Sequence, residues 1–179
     1  IIMLTELFKT EERLKILYYI MYRNEFTVTE VSRETKVSKG LVSRYLAYLD
    51  EKKLIKRSGR MYLLEDSAET RAIKTILNLE RIHLEKLDLK WASSSGLFGS
   101  WASGTNTHES DVDIWVMVDK YPSEHSLSIL NRDLRKMTGS EVNLLILTQE
   151  KLDRIKSDDL PFYNSLLRNS IILKGEKLG

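Results

Sequence analysis

Two aspartates stand two residues apart in the middle of the chain, at the start of an apolar run. Asp111 and Asp113 lead into residues 114–118, which have the composition of a buried strand. Residues i and i+2 of a strand point to the same face, so we expect the two carboxylates to emerge side by side. Two like charges so placed favour a cation between them. Hard oxygen ligands of this kind suit Mg²⁺ or Mn²⁺, with substrate phosphates as further ligands.

A glycine–serine break precedes the aspartates by about a dozen residues. Gly99 lets a backbone approach a phosphate closely, and Ser100 can begin a helix whose free N–H groups face an anion. A phosphate-holding turn together with a metal-holding carboxylate pair is typical of phosphoryl or nucleotidyl transfer. The alternative is a strand that ends in two solvated aspartates after an ordinary glycine turn. The combination of both features favours the transfer site.

The stretch LFGSWASG followed by SDVDIWV resembles the signature of the DNA polymerase β-type nucleotidyltransferase superfamily, GSxAxG…SDxD. The small surrounding domain, about residues 90–179, is similar to the minimal archaeal and bacterial members. The resemblance implies that Gly99 and Ser100 hold the triphosphate of an NTP, with ATP as the expected nucleotide. It also implies that Asp111 and Asp113 hold the divalent metal ions, Mg²⁺ or Mn²⁺.

The third acidic residue of this family is where the chain departs from the pattern. A later strand supplies that residue just before an apolar pair, and in the predicted strand 141–147 the position is Asn143. Asparagine can offer a carbonyl oxygen to a metal, but it cannot act as a base. Glu141 shares a face with Asn143 and is the candidate catalytic base, and the strand register decides whether it reaches the metals. Trp101 and Ser103 also depart from the family pattern, which often has a basic residue and an arginine there.

The first third of the chain predicts three helices and a hairpin. Apolar spacing and N-cap residues place the helices at 10–22, 27–36 and 38–51, capped by Thr10, by Thr27 with Glu30, and by Ser38. Strands 54–57 and 60–64 then flank Ser58-Gly59, which is typical of a two-residue hairpin turn. This order of elements is that of a helix-turn-helix followed by a wing.

The segment 10–66 resembles the winged helix-turn-helix DNA-binding modules of the MarR and ArsR families, and TEVSRETKVSKGLVSRYLAYLDEKKLIKRSGRMYLL carries the resemblance. Nine Lys and Arg against three Asp and Glu between residues 33 and 60 give a local net charge of +6. The resemblance implies that the major groove of double-stranded DNA receives Ser38, Lys39, Ser43 and Arg44, and that backbone phosphates contact Lys56, Arg57 and Arg60. The alternative is the same fold used for protein contacts, with a solvated basic face.

We therefore predict two domains. Residues 1–66 form a winged helix-turn-helix domain, α+β and mostly helical, and residues 90–179 form a small mixed α/β nucleotidyltransferase-like domain. Residues 67–89 are predicted as a linker helix whose apolar surface is wider than one stripe. That helix has two candidate partners, the domains on either side of it or its own copy in a homodimer.

Composition narrows the class of protein. The 179 residues are 42% hydrophobic and 30% charged, as in a globular protein that does not contact a membrane. Cysteine is absent from the sequence, which excludes disulfides and thiolate metal sites and favours a cytoplasmic location. The three histidines are far apart and show no metal-ligand spacing.

Two functions remain open from the sequence. In the first, the chain is a DNA-binding enzyme that transfers NMP from an NTP onto an unknown acceptor. In the second, it is a non-catalytic transcriptional regulator whose nucleotidyltransferase-like domain only binds nucleotide or a protein partner. Minimal members of the resembled family often act as antitoxins, which implies a separately encoded toxin as a protein partner.

Overall fold

The computed structural model describes residues 2–178, with side chains from residue 5 onward. The chain divides into two compact units, Ile1–Lys74 and Thr75–Gly179. Among the described residues, none of the helices combines the length and the apolar composition that a membrane span requires.

Within its described residues, the first unit contains four complete helices and a three-stranded sheet. Its helices are α1 (Ile2–Leu7), α2 (Glu11–Ile20), α3 (Val28–Thr35) and α4 (Lys39–Glu51), and its strands are β1 (Glu25–Thr27), β2 (Ile55–Ser58) and β3 (Met61–Leu64). The strand order is β1-β3-β2, with both pairings antiparallel. The predicted winged helix-turn-helix fold is confirmed.

The predicted helix caps are present in the structure. Thr10 Oγ1 accepts a hydrogen bond from the backbone N–H of Arg13, and Thr27 with Glu30 forms a reciprocal capping box. The Ser38 hydroxyl accepts from the N–H of Leu41 at the start of α4. Each bond satisfies one of the N–H groups that a helix leaves unpaired at its beginning, which is why the helices begin at these residues.

Two details of this unit differ from the sequence prediction. Ser58 pairs with Met61, so the hairpin turn consists of Gly59 and Arg60 rather than Ser58 and Gly59. The arginine consequently stands at the tip of the wing. In addition, the residues before the capping box form β1 and pair with β3, a pairing across more than 30 residues that no local pattern indicates.

The second unit is a four-stranded mixed sheet with helices. Its helices are α5 (Ala68–Glu80, which begins in the first unit), α6 (Gly99–Ser103), α7 (Glu124–Thr138), α8 (Gln149–Asp158) and α9 (Leu160–Asn169), and its strands are β4 (Ser94–Phe98), β5 (Val112–Met117), β6 (Val142–Leu147) and β7 (Ile171–Lys174). The order is β6-β5-β4-β7; β5 and β6 are parallel, and the other pairings are antiparallel. The predicted mixed α/β fold is confirmed.

The apolar residues of β5 pack on both faces of this sheet. Ile114 and Val116 belong to a core cluster on one face, and Trp115 belongs to the cluster on the other. This is why the strand reads as a continuous apolar run instead of alternating apolar and polar residues. Buried on both faces, β5 fixes the position of the residues at its beginning.

The helix that the sequence pattern extends to residue 89 ends at Glu80. Arg81 and Ile82 donate to the carbonyls three residues earlier, which tightens the chain out of the α-helix. The apolar residues that follow then pack on the core of the second unit: Ile82, Leu84, Leu87 and Leu89. Their attraction to this core explains both the end of the helix and the breadth of the apolar pattern.

Gly96 in β4 faces the indole of its register partner Trp115. A Cβ atom on Gly96 would lie 2.5 Å from two ring atoms, and the ring is buried and held by a 3.0 Å hydrogen bond from Nε1 to Ser170 Oγ. We therefore expect Gly96→Ala to lower the free energy of unfolding by about 1–3 kcal/mol, because the core must shift to admit the methyl group. Thermal or urea unfolding measures this.

The adjacent Ser95 provides the control. It is buried, and its hydroxyl has no hydrogen-bond partner within the described residues. Ser95→Ala removes an unsatisfied polar atom and adds no volume, so we expect stability to change by less than about 1 kcal/mol or to rise. Equal destabilisation by both substitutions would contradict the role given to the Gly96–Trp115 contact.

Candidate active site

The parallel register of β5 and β6 brings three polar side chains to one edge of the sheet. Asp113 and Asn143 are register partners, and Asp111 stands immediately before β5. The N–H of Val112 donates to the carbonyl of Glu141 over 2.8 Å, which continues the ladder to the edge. The neighbouring strand therefore places Asn143 directly beside the aspartate pair.

Asp111 and Asp113 converge on one nitrogen atom. Asn143 Nδ2 donates to Asp111 Oδ2 over 3.3 Å and to Asp113 Oδ1 over 3.1 Å. The prediction that the two carboxylates emerge side by side is confirmed by this geometry. Two acceptor-only groups that share one donor form an electronegative site, and the amide dipole partly offsets their repulsion.

The backbone of Gly99 lies against the same carboxylate pair. Gly99 follows β4, where Phe98 is the register partner of Asp113, and its φ is 67°. A Cβ atom at this position would lie 2.5 Å from Asp113 Oδ2. The left-handed backbone conformation favours glycine here, and a Cβ atom would displace the Asp113 carboxylate. The glycine–serine segment and the aspartate pair therefore meet at one site.

The departures from the family pattern at Trp101 and Ser103 have structural explanations. Trp101 is buried, donates from Nε1 to the carbonyl of Ser110 over 3.3 Å, and stacks under the guanidinium of Arg81. The Ser103 hydroxyl turns back onto its own helix, 3.1 Å from the carbonyl of Gly99. Neither residue presents a positive charge to the site.

Glu141 is not part of the Asp111–Asp113–Asn143 cluster. Its exposed carboxylate forms an ion pair with Arg135 in the last turn of α7. Glu141 and Asp111 nevertheless line the same pocket, of about 400 Å³, so that a group bound there would be next to both. The pocket is lined by His108, Glu109, Ser110, Asp111, Arg135, Gly139, Ser140 and Glu141.

The donor set fits a magnesium ion that arrives with a nucleotide. Within residues 2–178 there is no group of three or more Asp, Glu or His side chains placed to hold a metal on its own. Mg²⁺, however, is usually bound by one or two carboxylates together with waters and substrate phosphates. Asp111 and Asp113 supply such a pair, whereas the Asn143 amide presents its nitrogen to them and not its carbonyl oxygen.

The residues predicted to contact DNA lie on exposed surfaces of the first unit. Ser38, Lys39, Ser43 and Arg44 are exposed along α4, opposite the buried Val42, Tyr45, Leu46 and Leu49. Lys56, Arg57 and Arg60 are exposed on the wing. Two side chains have local partners, since the Ser38 hydroxyl caps α4 and Arg57 Nε donates to the carbonyl of Gly59 over 3.2 Å. Arg44 Nη1 lies 3.8 Å from the position that a Cβ atom on Gly40 would occupy, so the guanidinium extends over Gly40.

Sequence reasoning missed three residues near the site. No local sequence pattern indicates Arg135, because its contact with Glu141 forms only across the turn between α7 and β6. Asn78 and Asn106 are buried and bonded to one another, although they are 28 residues apart. The one local signal for Asn78 is a polar residue within the apolar sequence ILNL.

Comparison with known proteins agrees with this geometry. The sequence model of the polymerase beta nucleotidyltransferase family matches residues 90–159, and that of the arsR family of bacterial regulatory proteins matches residues 10–57. Over 78 residues the chain is 37% identical to the "Putative protein adenylyltransferase MJ1379" of Methanocaldococcus jannaschii, a match that covers 42% of this chain and 78% of that protein. The chain belongs to the polymerase β nucleotidyltransferase family. It joins this domain to an ArsR-type helix-turn-helix module.

A more distant likeness exists among solved structures. A crystal structure of a mutant of the toxin–antitoxin pair MntA–HpeT aligns with 62% of this chain and 75% of its own, at 20% identity and a TM-score of 0.36. A likeness this remote does not bear on function.

Proposed function

We propose that this chain is a DNA-binding nucleotidyltransferase that moves AMP from ATP onto a hydroxyl group of a protein. The observation that carries the proposal is the convergence of Asp111 and Asp113 on one atom, with the backbone of Gly99 against Asp113. The 37% identity with a protein named as an adenylyltransferase of proteins supports AMP as the transferred group and protein as the acceptor.

In this proposal each residue of the site has a separate role. Asp111 and Asp113 hold Mg²⁺ (or Mn²⁺), while Gly99 and Ser100 hold the triphosphate. When bound, the ion neutralises charge on the phosphates and orients them for in-line displacement. Gly99 contributes by the absence of a side chain, which lets the triphosphate approach the carboxylate pair closely.

Glu141 is the proposed general base. The acceptor oxygen forms a bond to the α-phosphorus of ATP, the bond between the α- and β-phosphates breaks, and pyrophosphate leaves. The hydroxyl proton passes to the carboxylate of Glu141, which must first leave its ion pair with Arg135. Asn143 cannot take this proton because its amide has no basic atom at neutral pH.

The N-terminal module is proposed to bind double-stranded DNA. The small and basic face of α4 fits the major groove, and the basic wing fits the phosphate backbone. The local net charge of +6 between residues 33 and 60 supports this assignment. A homodimer reading a two-fold DNA site is an extension of the same proposal.

A second candidate function is favoured by one observation. Asn143 occupies the position of the third acidic residue and donates to both aspartates. A site without a base binds nucleotide and does not turn it over, which suits a transcriptional regulator controlled by nucleotide or by a protein partner. The antitoxin-like pairing with a separately encoded toxin, implied by the family resemblance, is compatible with either candidate.

Label transfer tests the proposed activity. Purified protein is incubated with α-³²P-ATP and Mg²⁺ or Mn²⁺, with and without cell extract, beside the Asp111→Asn/Asp113→Asn variant. We expect a labelled protein band that the variant does not produce, because the variant cannot hold the metal. DNA binding should be the same in both. Label retained by the variant would refute the assignment of the site.

Binding without transfer would support the second candidate. This outcome is recognised by metal-dependent binding of ATP to the wild type, measured by equilibrium dialysis, together with no labelled product in any extract fraction. Absence of both binding and label would exclude the transferase and a regulator controlled by nucleotide, and it would leave a regulator controlled by a protein partner.

Glu141→Gln tests the general base. Loss of a general base lowers the rate of transfer by about 10²–10⁴-fold, and we expect unchanged ATP affinity because the triphosphate is held elsewhere. Glu109→Gln is the matched control, since Glu109 lines the same pocket and is also exposed. Equal rates for Glu141→Gln and the wild type would remove Glu141 from the mechanism.

Arg44→Ala tests the DNA-binding face. If Arg44 contacts a base edge, the substitution weakens binding to the preferred duplex by about 1–3 kcal/mol and relaxes sequence preference at one position. Lys15→Ala removes one positive charge from α2, where Lys15 pairs with Glu11, and should have little effect. Fluorescence anisotropy with duplex DNA measures both. Unchanged affinity for Arg44→Ala would favour a protein-binding role for the winged helix.

A further inference from the structure

Asn78 and Asn106 form a buried amide pair beside α6, the helix that begins with Gly99 and Ser100. Asn78 Nδ2 donates to Asn106 Oδ1 over 3.0 Å, and Asn106 Nδ2 donates back to Asn78 Oδ1 over 3.3 Å. Both residues are fully buried. Buried amides cost free energy unless their hydrogen bonds are made, and here each amide satisfies the other.

The same pair holds α6. Asn78 Nδ2 also donates to the carbonyl of Trp101 over 2.8 Å, and the hydroxyl of Thr75, one turn earlier in α5, donates to the carbonyl of Ala102 over 3.3 Å. The last carbonyls of a helix have no partner within it, and a helix of five residues is too short to be stable by itself. The position of α6 therefore depends on side chains of α5.

The loop from α6 to Asp111 is fixed at the same point. Asn106 belongs to this loop, and the Trp101 indole donates to the carbonyl of Ser110 near its end. The amide pair consequently connects three parts of the second unit: α5, α6 and the loop that delivers Asp111. Displacing one amide would change the distance between the glycine–serine segment and the aspartate pair.

We infer that Asn78 and Asn106 are positioning residues for the nucleotide site. They act through the backbone of α6 and of the following loop, and they set the separation of Gly99 and Ser100 from Asp111. The part of the inference that concerns nucleotide affinity rests on the proposed function. The part that concerns the position of α6 does not.

Hydrogen exchange tests the position of α6 without nucleotide. In Asn78→Ser, amide exchange in the peptide covering residues 99–106 should be roughly tenfold faster, because local opening of this segment becomes easier. The control is Ser170→Ala, which removes the hydrogen bond to the Trp115 indole. Unchanged exchange at residues 99–106 in Asn78→Ser would overturn the inference, as would equal acceleration in the control.

Nucleotide affinity is the second measurement. A non-hydrolysable ATP analogue with Mn²⁺ should bind Asn78→Ser roughly 10- to 100-fold more weakly than the wild type, the usual effect of removing a group that orients a binding residue. The Asn78→Ser/Asn106→Ser variant should lose no more than the single one, because one pair is broken in both. Ser170→Ala should bind as the wild type does. Wild-type affinity in Asn78→Ser would overturn the role in binding.

Two further outcomes must be distinguished: the Asn78→Ser variant does not fold, or the wild-type protein does not bind the analogue. If Asn78→Ser does not fold, Thr75→Val replaces it, since this isosteric change removes only the hydroxyl on the Ala102 carbonyl. Faster exchange at residues 99–106 and weaker binding are again expected. If both exchange and binding stay at their wild-type values, the inference is overturned. If wild-type protein does not bind the analogue, the proposed function fails, while the exchange experiment still decides whether the amide pair positions α6.

Discussion

Two negatively charged side chains held at one point are the constraint on which the nucleotidyltransferase domain depends. Asp111 and Asp113 repel each other, and they stay together because β5 is buried on both faces and cannot turn. The amide of Asn143, which lies on the neighbouring strand β6, offsets part of the repulsion between the two aspartates. The parallel pairing of β5 with β6 therefore holds the two carboxylates in place and puts the neutral Asn143 amide beside them.

Because Asn143 occupies the position of the third acidic residue, the general base of the proposed mechanism must be another side chain. A carboxylate there would add a third negative charge to the cluster, whereas the neutral amide donates to both aspartates and leaves two negative charges. In the proposed function the base is Glu141, whose carboxylate lines the pocket beside Asp111 and is paired with Arg135. In the proposed mechanism, proton transfer and metal binding therefore fall to different residues, and a substitution can remove one without the other.

Much of the fold could be predicted because its signals are local. Thr27 with Glu30, and Ser38, act within one helical turn, so the sequence places these helix ends correctly. The hairpin turn lies one residue later than predicted because strand register is set by pairing between β2 and β3, not by the turn alone. The end of α5 was missed because the apolar residues after Glu80 follow the core of the second unit instead of a helical stripe.

The sequence by itself determined the chemistry of the site. The i, i+2 spacing of Asp111 and Asp113 and the glycine before Ser100 predict the candidate site, because strand alternation and the space beside a glycine are properties of a few adjacent residues. Only the tertiary structure decided which distant groups meet there. The hydrogen bonds from Asn143 to both aspartates, the ion pair of Arg135 with Glu141, and the amide pair beside α6 join residues 6 to 32 positions apart. Such contacts depend on strand order and helix packing, which act between segments and leave no periodic trace in the sequence.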